Sequence, residues 1–186
     1  MSSFLVTGAA GQLGQCFQAV DHEFVDHQLI FAQKSEVDIT DPKTFHEIYK
    51  AQPFDGIINC AAYTKVDKAE KESILANQIN VEGIKNTIDF AQEKSISVIH
   101  FSTDYIFDGS IIKPIKEDFP TQPLNTYGHS KYQGEQIVKK ANCPNTIFRL
   151  SWMFSPFGEN FVKTILKLIH EKSPIQVVND QHGRPT

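Results

Sequence analysis

The sequence predicts an α/β fold with a doubly wound, mostly parallel sheet, and two observations carry that prediction. Short apolar runs recur without the polar alternation of a half-solvated strand, which is the pattern of strands buried on both faces. Between them lie longer segments with apolar residues at helical spacing, and strands alternating with helices imply right-handed crossovers in one parallel sheet.

The elements follow in order. Phe4-Leu5-Val6 forms a first strand ending at Thr7-Gly8, and a helix starts near Gln12 with Leu13, Phe17 and Val20 on one side. Leu29 to Ala32 is a second strand, and Asp41 caps a helix whose first turn carries Pro42. Gly56 to Ala61 is a buried strand. A helix spans Ile79 to Lys94, with Ile79, Gly83, Thr87 and Phe90 spaced by four and three. Ser97 to Phe101 is another strand, Thr126 to Lys140 another helix and Thr146 to Leu150 a further strand. A last helix spans Asn160 to His170, where Phe161, Ile165, Leu168 and Ile169 share a face. The one long irregular stretch, Ile111 to Asn125, holds Pro114, Pro120 and Pro123. Long loops in compact domains often serve as lids or binding loops.

The chain has 186 residues, little more than the ~150 of one domain, so a single domain with an appendage is expected. Its hydrophobic set is 40%, and glycine brings it to the ordinary globular range. Net charge is −4, with no block of Lys and Arg to track a phosphate backbone, which disfavours a nucleic-acid binder. No apolar run approaches the roughly 18 residues of a membrane helix, and the N-terminus lacks the basic and apolar regions of a signal peptide. Cys16, Cys60 and Cys143 are an odd set without a CxxC pair, which suits reduced thiols in the core of a cytoplasmic protein. The seven histidines include no zinc-spaced cluster, so no metal site is expected.

Gly8-Ala9-Ala10-Gly11-Gln12-Leu13-Gly14 links the first strand to the first helix. There Gly8 allows the tight turn, Gly11 lets the backbone approach a pyrophosphate, and Gly14 lets the helix lie close to the sheet. The helix N-terminus offers free N–H groups to the anion. The context makes this a Rossmann-type NAD(P)-binding segment. A second strand of that fold usually ends in an acid that binds the ribose 2′-hydroxyl and repels a 2′-phosphate. Here it ends in Gln33-Lys34, so NADPH is expected to bind as well as NADH; the alternative is that Lys34 is a solvated surface charge.

Tyr127 and Lys131 stand four residues apart on one helical face. The strand ending Ser102-Thr103-Asp104 brings a hydroxyl to the carboxyl ends of the strands, where ligands of such sheets bind. Phenol, ammonium and hydroxyl are the parts of a carbonyl reductase. An unperturbed tyrosine titrates near 10, so the Lys cation, helped by an oxidised nicotinamide, is expected to stabilise the phenolate.

With these segments in view the chain resembles the dTDP-4-dehydrorhamnose reductases, a family of extended short-chain dehydrogenases/reductases. The likeness rests on Thr7 to Gly14, Asp38 to Asp41, Asn59 to Thr64, Val66 to Glu70, Ser102 to Gly109, Tyr127 to Lys131, Ser151-Trp152 and Asn179 to Thr186. It implies that Gly11, Gln12 and Leu13 lie on the pyrophosphate, that Asp38 and Ile39 meet the adenine, and that Ala61, Ala62 and Tyr63 flank the nicotinamide half. It further implies that Thr103 polarises a 4-keto oxygen, Tyr127 protonates it, and Lys131 holds the nicotinamide ribose and lowers the Tyr127 pKa. Trp152 would line the sugar pocket with Asp104 nearby, or simply fill the core. Asn80 would join a water relay or do buried helix-capping work. Some members hold magnesium partly through a Glu where this chain has Cys16, so no metal carries over.

Family members continue well past the segment that ends at Thr186. The resemblance therefore makes residues 1–172 an NAD(P)-binding domain and 173–186 the start of a substrate-binding region. The activity implied is NAD(P)H-dependent reduction of dTDP-4-dehydro-L-rhamnose to dTDP-L-rhamnose for polysaccharide synthesis. Its partner is the dTDP-linked 4-keto-6-deoxysugar rather than nucleic acid or membrane, and a homodimer is allowed. Two alternatives stay open, a reductase or epimerase-like enzyme on another nucleotide sugar and a non-catalytic, cofactor-binding regulatory subunit; intact Thr103, Tyr127 and Lys131 argue against the latter.

Overall fold

The strands β1 (Ser2–Thr7), β2 (His27–Ala32), β3 (Gly56–Asn59), β4 (Ser97–Thr103) and β5 (Asn145–Leu150) form one parallel sheet in the order β2-β1-β3-β4-β5. The computed structural model describes all residues except Ile112, Asp180 and His182, so two positions of the last quoted motif lie outside the described residues. The helices are α1 (Gln12–Ala19), α2 (Pro42–Ala51), α3 (Val66–Ala69), α4 (Ser73–Asn77), α5 (Gly83–Lys94), α6 (Thr126–Lys139) and α7 (Phe161–His170). Each strand found its expected place. Asp41 caps α2 as its sequence proposes, its carboxylate accepting from the Lys43 N–H at 3.0 Å. The order of strands reverses between β1 and β3, the switch point at which such sheets bind ligands.

Successive strand residues point to opposite faces, and the two faces differ. Under α2, α5 and α6 the strands contribute Leu5, Ile57 and Val98 to a core with Phe45, Ile84, Ile88 and Phe90. Phe45 and Phe90 stack at 5.3 Å. Two residues further along each strand, the same face turns polar with Thr7, Asn59, His100, Ser102 and Arg149, so the carboxyl end of the sheet meets α6 through a polar row.

The other face departs from the expectation of strands buried on both sides. Helix α1 reaches it through Phe17, whose ring lies 6.2 Å from Phe101, and Phe24 lines the same groove. Phe101 stacks on Phe148 at 5.9 Å, yet Phe148 remains 48% exposed, at the edge of an apolar groove of about 410 Å³. The apolar face of α7 is likewise open at Phe161, Leu166 and Ile169. Edge strands β2 and β5 therefore read as apolar without being enclosed.

The predicted helix over Ile79 to Lys94 is helical throughout, with a change of winding at its start. It begins with a π-turn, Gln78–Glu82, that follows α4 and passes into α5. The proline-rich stretch is tied down at several described points. The Gln122 N–H donates to Ile106 O at 2.8 Å, and Arg149 Nη1 donates to Glu117 O at 2.9 Å.

Candidate active site

At the end of β1 the chain turns at Gly8 with φ of +66°. A Cβ there would also sit 2.7 Å from the Ala61 nitrogen, so only glycine fits between the first turn and the segment after β3. A Cβ on Gly14 would meet Ala9 Cα and Gly8 O at 2.6 Å, and that close approach sets α1 against the turn. Gly11 is exposed, and a Cβ there would meet only Gly8 O, at 3.2 Å. Gly11 also caps α1 without a side-chain hydrogen bond, and the first turn of α1 holds no acid. The helix thus starts with backbone N–H groups, no carboxylate of its own and no side chain at Gly11, which fits a pyrophosphate. Gln12 and Leu13 follow, both half-buried; the Gln12 amide donates to Met153 O at 3.3 Å, so the chain after β5 lies alongside.

Beyond β2, Lys34 is solvent-exposed with its Nζ 3.5 Å from Asp38 Oδ2. Burial would raise the Asp38 pKa, but the Thr40 N–H and hydroxyl, with the Lys34 charge, hold it below the usual range. The Ile39 side chain lies in the core against Gly83, and its carbonyl accepts from Asn86 at 3.0 Å. Only the backbone of Ile39 is left to meet a ligand.

After β3 the chain runs through Ala61, Ala62 and Tyr63, and Asn80 clamps it. Asn80 Oδ1 accepts from Tyr63 N at 2.9 Å, while Nδ2 donates to Tyr63 O and to Ser130 Oγ, each at 3.0 Å. Asn80 lies inside the π-turn and is not a helix cap; its amide instead ties the segment after β3 to α6 through Tyr63 and Ser130. The Tyr63 phenol donates to Glu72 at 2.7 Å; burial and that bond push its pKa to about 12.

Thr103 ends β4, with its hydroxyl accepting from Tyr105 N at 3.2 Å and donating to Asp104 Oδ1 at 3.2 Å. Asp104 Oδ2 accepts from Ser151 Oγ at 2.7 Å, joining the ends of β4 and β5. Tyr127, in the first turn of α6, is buried beside Thr103. Asn125 caps that helix by accepting from Gly128 N at 2.7 Å, and Gly128 lies so close to Tyr105 O that a Cβ would collide with it. Burial raises the Tyr127 phenol to about 12, a hydrogen bond with Thr103 pulls the other way, and Asp104 adds to the rise. The expected lowering by Lys131 is not found. Lys131, 4% exposed, donates from Nζ to Phe101 O at 2.6 Å, and burial lowers its own pKa to about 8.

Trp152 is not a core residue. It is 42% exposed at a φ of +49°, tilted against Phe161 at 6.4 Å, with Gly183 against its ring. The structure thus places Gly8, Gly11, Gly14, Ala61, Thr103, Tyr127 and Lys131 at the carboxyl end of the sheet, with Lys34 and Asp38 beyond β2 and Trp152 beyond β5.

Residues 1–186 match the family model described as RmlD substrate binding domain. The chain belongs to that family. This RmlD-type chain is 38% identical to the dTDP-4-dehydrorhamnose reductase of Aggregatibacter actinomycetemcomitans over its whole length, covering 63% of that protein. It is 37% identical to the spore coat polysaccharide biosynthesis protein SpsK of Bacillus subtilis, covering 65% of it. Among solved structures, the dTDP-4-dehydrorhamnose reductase of Bacillus anthracis in complex with NADP superposes with a TM-score of 0.85 at 38% identity, over 91% of this chain and 60% of that one. The chain thus spans a little over three fifths of the length of these curated relatives. The likeness establishes the Rossmann-type fold. No described helix is long and apolar enough to cross a membrane.

A cluster that the sequence reading passed over lies beneath α6. Glu135 is fully buried, takes two hydrogen bonds from Arg149 (Nε at 3.1 Å, Nη2 at 2.7 Å) and pairs with Lys139 at 2.7 Å. Two signals announce it: an arginine inside an apolar strand, and Lys131, Glu135 and Lys139 at successive four-residue steps.

Proposed function

We propose that this chain acts in the cytoplasm as an NAD(P)H-dependent reductase of the 4-keto group of dTDP-4-dehydro-L-rhamnose, giving dTDP-L-rhamnose. The observation that carries the reading is that Thr103, at the end of β4, stands beside the buried Tyr127 at the carboxyl end of a parallel sheet whose first turn is the glycine segment. In this reading Gly8, Gly11, Gln12, Leu13 and Gly14 hold the pyrophosphate of the cofactor by backbone N–H groups, with Lys34, Asp38 and the Ile39 backbone on its adenosine side. Ala61, Ala62 and Tyr63, fixed by Asn80, wall the nicotinamide side, and Lys131 donates to the ribose. When bound, NADPH or NADH supplies the hydride.

The chain's own groups handle the oxygen. The Thr103 hydroxyl orients the keto oxygen, and Tyr127 gives it a proton. A phenol at about 12 keeps that proton at neutral pH, as a donor must. Asp104 and Trp152 face the sugar, and residues 173–186, which meet Trp152 through Gly183 and Phe154 through Thr186, begin the substrate-binding region.

Titration with NADPH, read by nicotinamide fluorescence, tests the glycine segment. Saturable binding that is lost in Gly11→Asp is expected, because the new carboxylate faces the pyrophosphate; binding that survives that change overturns the assignment. Consumption of NADPH on adding dTDP-4-dehydro-L-rhamnose tests the reaction.

A further inference from the structure

We propose that Glu135 is a positioning residue for Lys131: its carboxylate, buried one helical turn further along α6, gathers Lys139 and Arg149 and supplies the negative charge that keeps Lys131 an ammonium. The inference deepens the proposed function and rests on its assignment of Lys131 to the cofactor ribose.

Three cations converge on this stretch of the fold. Lys131 is buried and has the Phe101 carbonyl as its hydrogen-bond acceptor. Lys139 and Arg149 both contact Glu135 Oε1 at 2.7 Å, and Arg149 Nε reaches Oε2 at 3.1 Å. Among the described residues Glu135 is the one buried carboxylate. Burial alone would raise its pKa, but the hydrogen bonds from Arg149 and Lys139 hold it at about 2, so it stays charged across the physiological range.

The surroundings offer no substitute. From β4, His100 is fully buried and kept neutral, first by burial and then by the Lys131 charge; its Nδ1 lies 3.3 Å from Asn59 Nδ2, and Nε2 has no partner among the described residues. The neighbouring Ser102 hydroxyl is buried and carries no charge. The π-turn and α5 meet α6 through Asn80 and Ile84, which carry no charge. The other acids near α6 are engaged at its N-terminal end. Asp104 binds Thr103 and Ser151 and acts on Tyr127, Asp67 acts on Tyr105, Glu70 binds Thr126, and Glu72 takes the Tyr63 phenol. Burial strips the Lys131 ammonium of water, and Glu135 is the group that opposes the resulting loss of its proton. Without it, Lys131 would face two unneutralised cations in a medium of low polarisability.

The test follows the Lys131 proton directly. In protein carrying isotope-labelled lysine, the Lys131 side-chain NMR signal, assigned by its loss in Lys131→Met, is titrated with pH. The expected midpoint moves down by about one pH unit or more in Glu135→Gln and returns most of the way in Glu135→Asp. It moves up in Lys139→Met, which frees carboxylate charge at a half-exposed position that folding tolerates. An unchanged midpoint in folded Glu135→Gln overturns the proposal. Should that variant not fold, Lys139→Met decides, and a midpoint that stays or falls overturns it. NADPH affinity measured over the same pH range is expected to fall at the same midpoints, since the ribose needs the ammonium. Moved Lys131 midpoints with no NADPH binding by the wild type would leave the Glu135–Lys131 link standing and sink the cofactor reading instead.

Discussion

The two faces of the sheet are made by the same five strands, alternate residue by alternate residue, and they have been put to opposite uses. The face under α5 and α6 is enclosed, and it turns from apolar to polar along each strand, from Leu5 to Thr7, Ile57 to Asn59 and Val98 to His100. The face under α1 is apolar along most of its length and partly open, with Phe148 at its rim and Thr103 at the end of β4. Enclosure and chemistry go together here because buried polar groups have to be satisfied, and a packed helix such as α6 supplies fixed partners. The open face lacks such a helix over most of its length, and its one polar group near the site, Thr103, stands at its carboxyl end, where it meets Asp104 and Tyr105.

Substitutions sharpen this contrast. The largest effect is expected on the enclosed side at its catalytic end: Tyr127→Phe lowers turnover by about 10² to 10⁴-fold, or about 2.7–5.5 kcal/mol in the barrier, and leaves NADPH affinity nearly intact. Turnover within threefold of wild type would remove Tyr127 from the role of proton donor. Deeper on the same face, Phe45→Ala empties space against Phe90 and should cost about 3–5 kcal/mol in denaturant unfolding. A loss below 1 kcal/mol would show that this core is not the one that holds the fold.

Acid should unpick the enclosed face first. The folded-state pKa of Glu135 lies below its ordinary value, at about 2 against 4.5. Folding therefore favours the carboxylate, and the stability it contributes is complete above pH 4.5 and declines as pH falls toward 2. Arg149→Met removes the main cause of that depression, so its stability difference from wild type should shrink over that range. A difference that is flat with pH would assign the Arg149 effect to packing alone. The smallest effect is expected on the open face, where Phe148→Thr should change stability by no more than about 0.5 kcal/mol. A large loss there would mean that the groove is filled in solution.

The asymmetry also explains what was legible in the sequence. Apolar runs located all five strands, and the Asp41-Pro42 pair located the start of α2, because both signals are local. The glycine segment was legible as a local pattern: Gly14 answers to contacts within its own turn, whereas the contact that confines Gly8 to glycine lies at Ala61, after β3. Enclosure was not legible. Ile147 and Phe148 are adjacent apolar residues in one strand, and only the tertiary packing decides that one meets the core while the other faces water. The π-turn was missed because Asn80 makes its bonds to Tyr63 and Ser130, 17 and 50 residues away, which no periodicity records. Lys131 was expected to tune Tyr127, but the chain folds its Nζ onto the Phe101 carbonyl, and burial governs the phenol.

Gly128 carries a consequence for manufacture to tolerance. Its bare Cα rests on the carbonyl of Tyr105, in the turn that follows Thr103, and it sits next to Tyr127 in the chain. The spacing between hydroxyl and phenol is therefore gauged by the absence of one methyl group, whose bond is about 1.5 Å long. An alanine there would have to lift the first turn of α6 by a comparable amount, and a displacement of about 1 Å in a reacting pair is enough to cost about 100-fold in rate. The calibration of the site thus resides in a residue with no functional group at all.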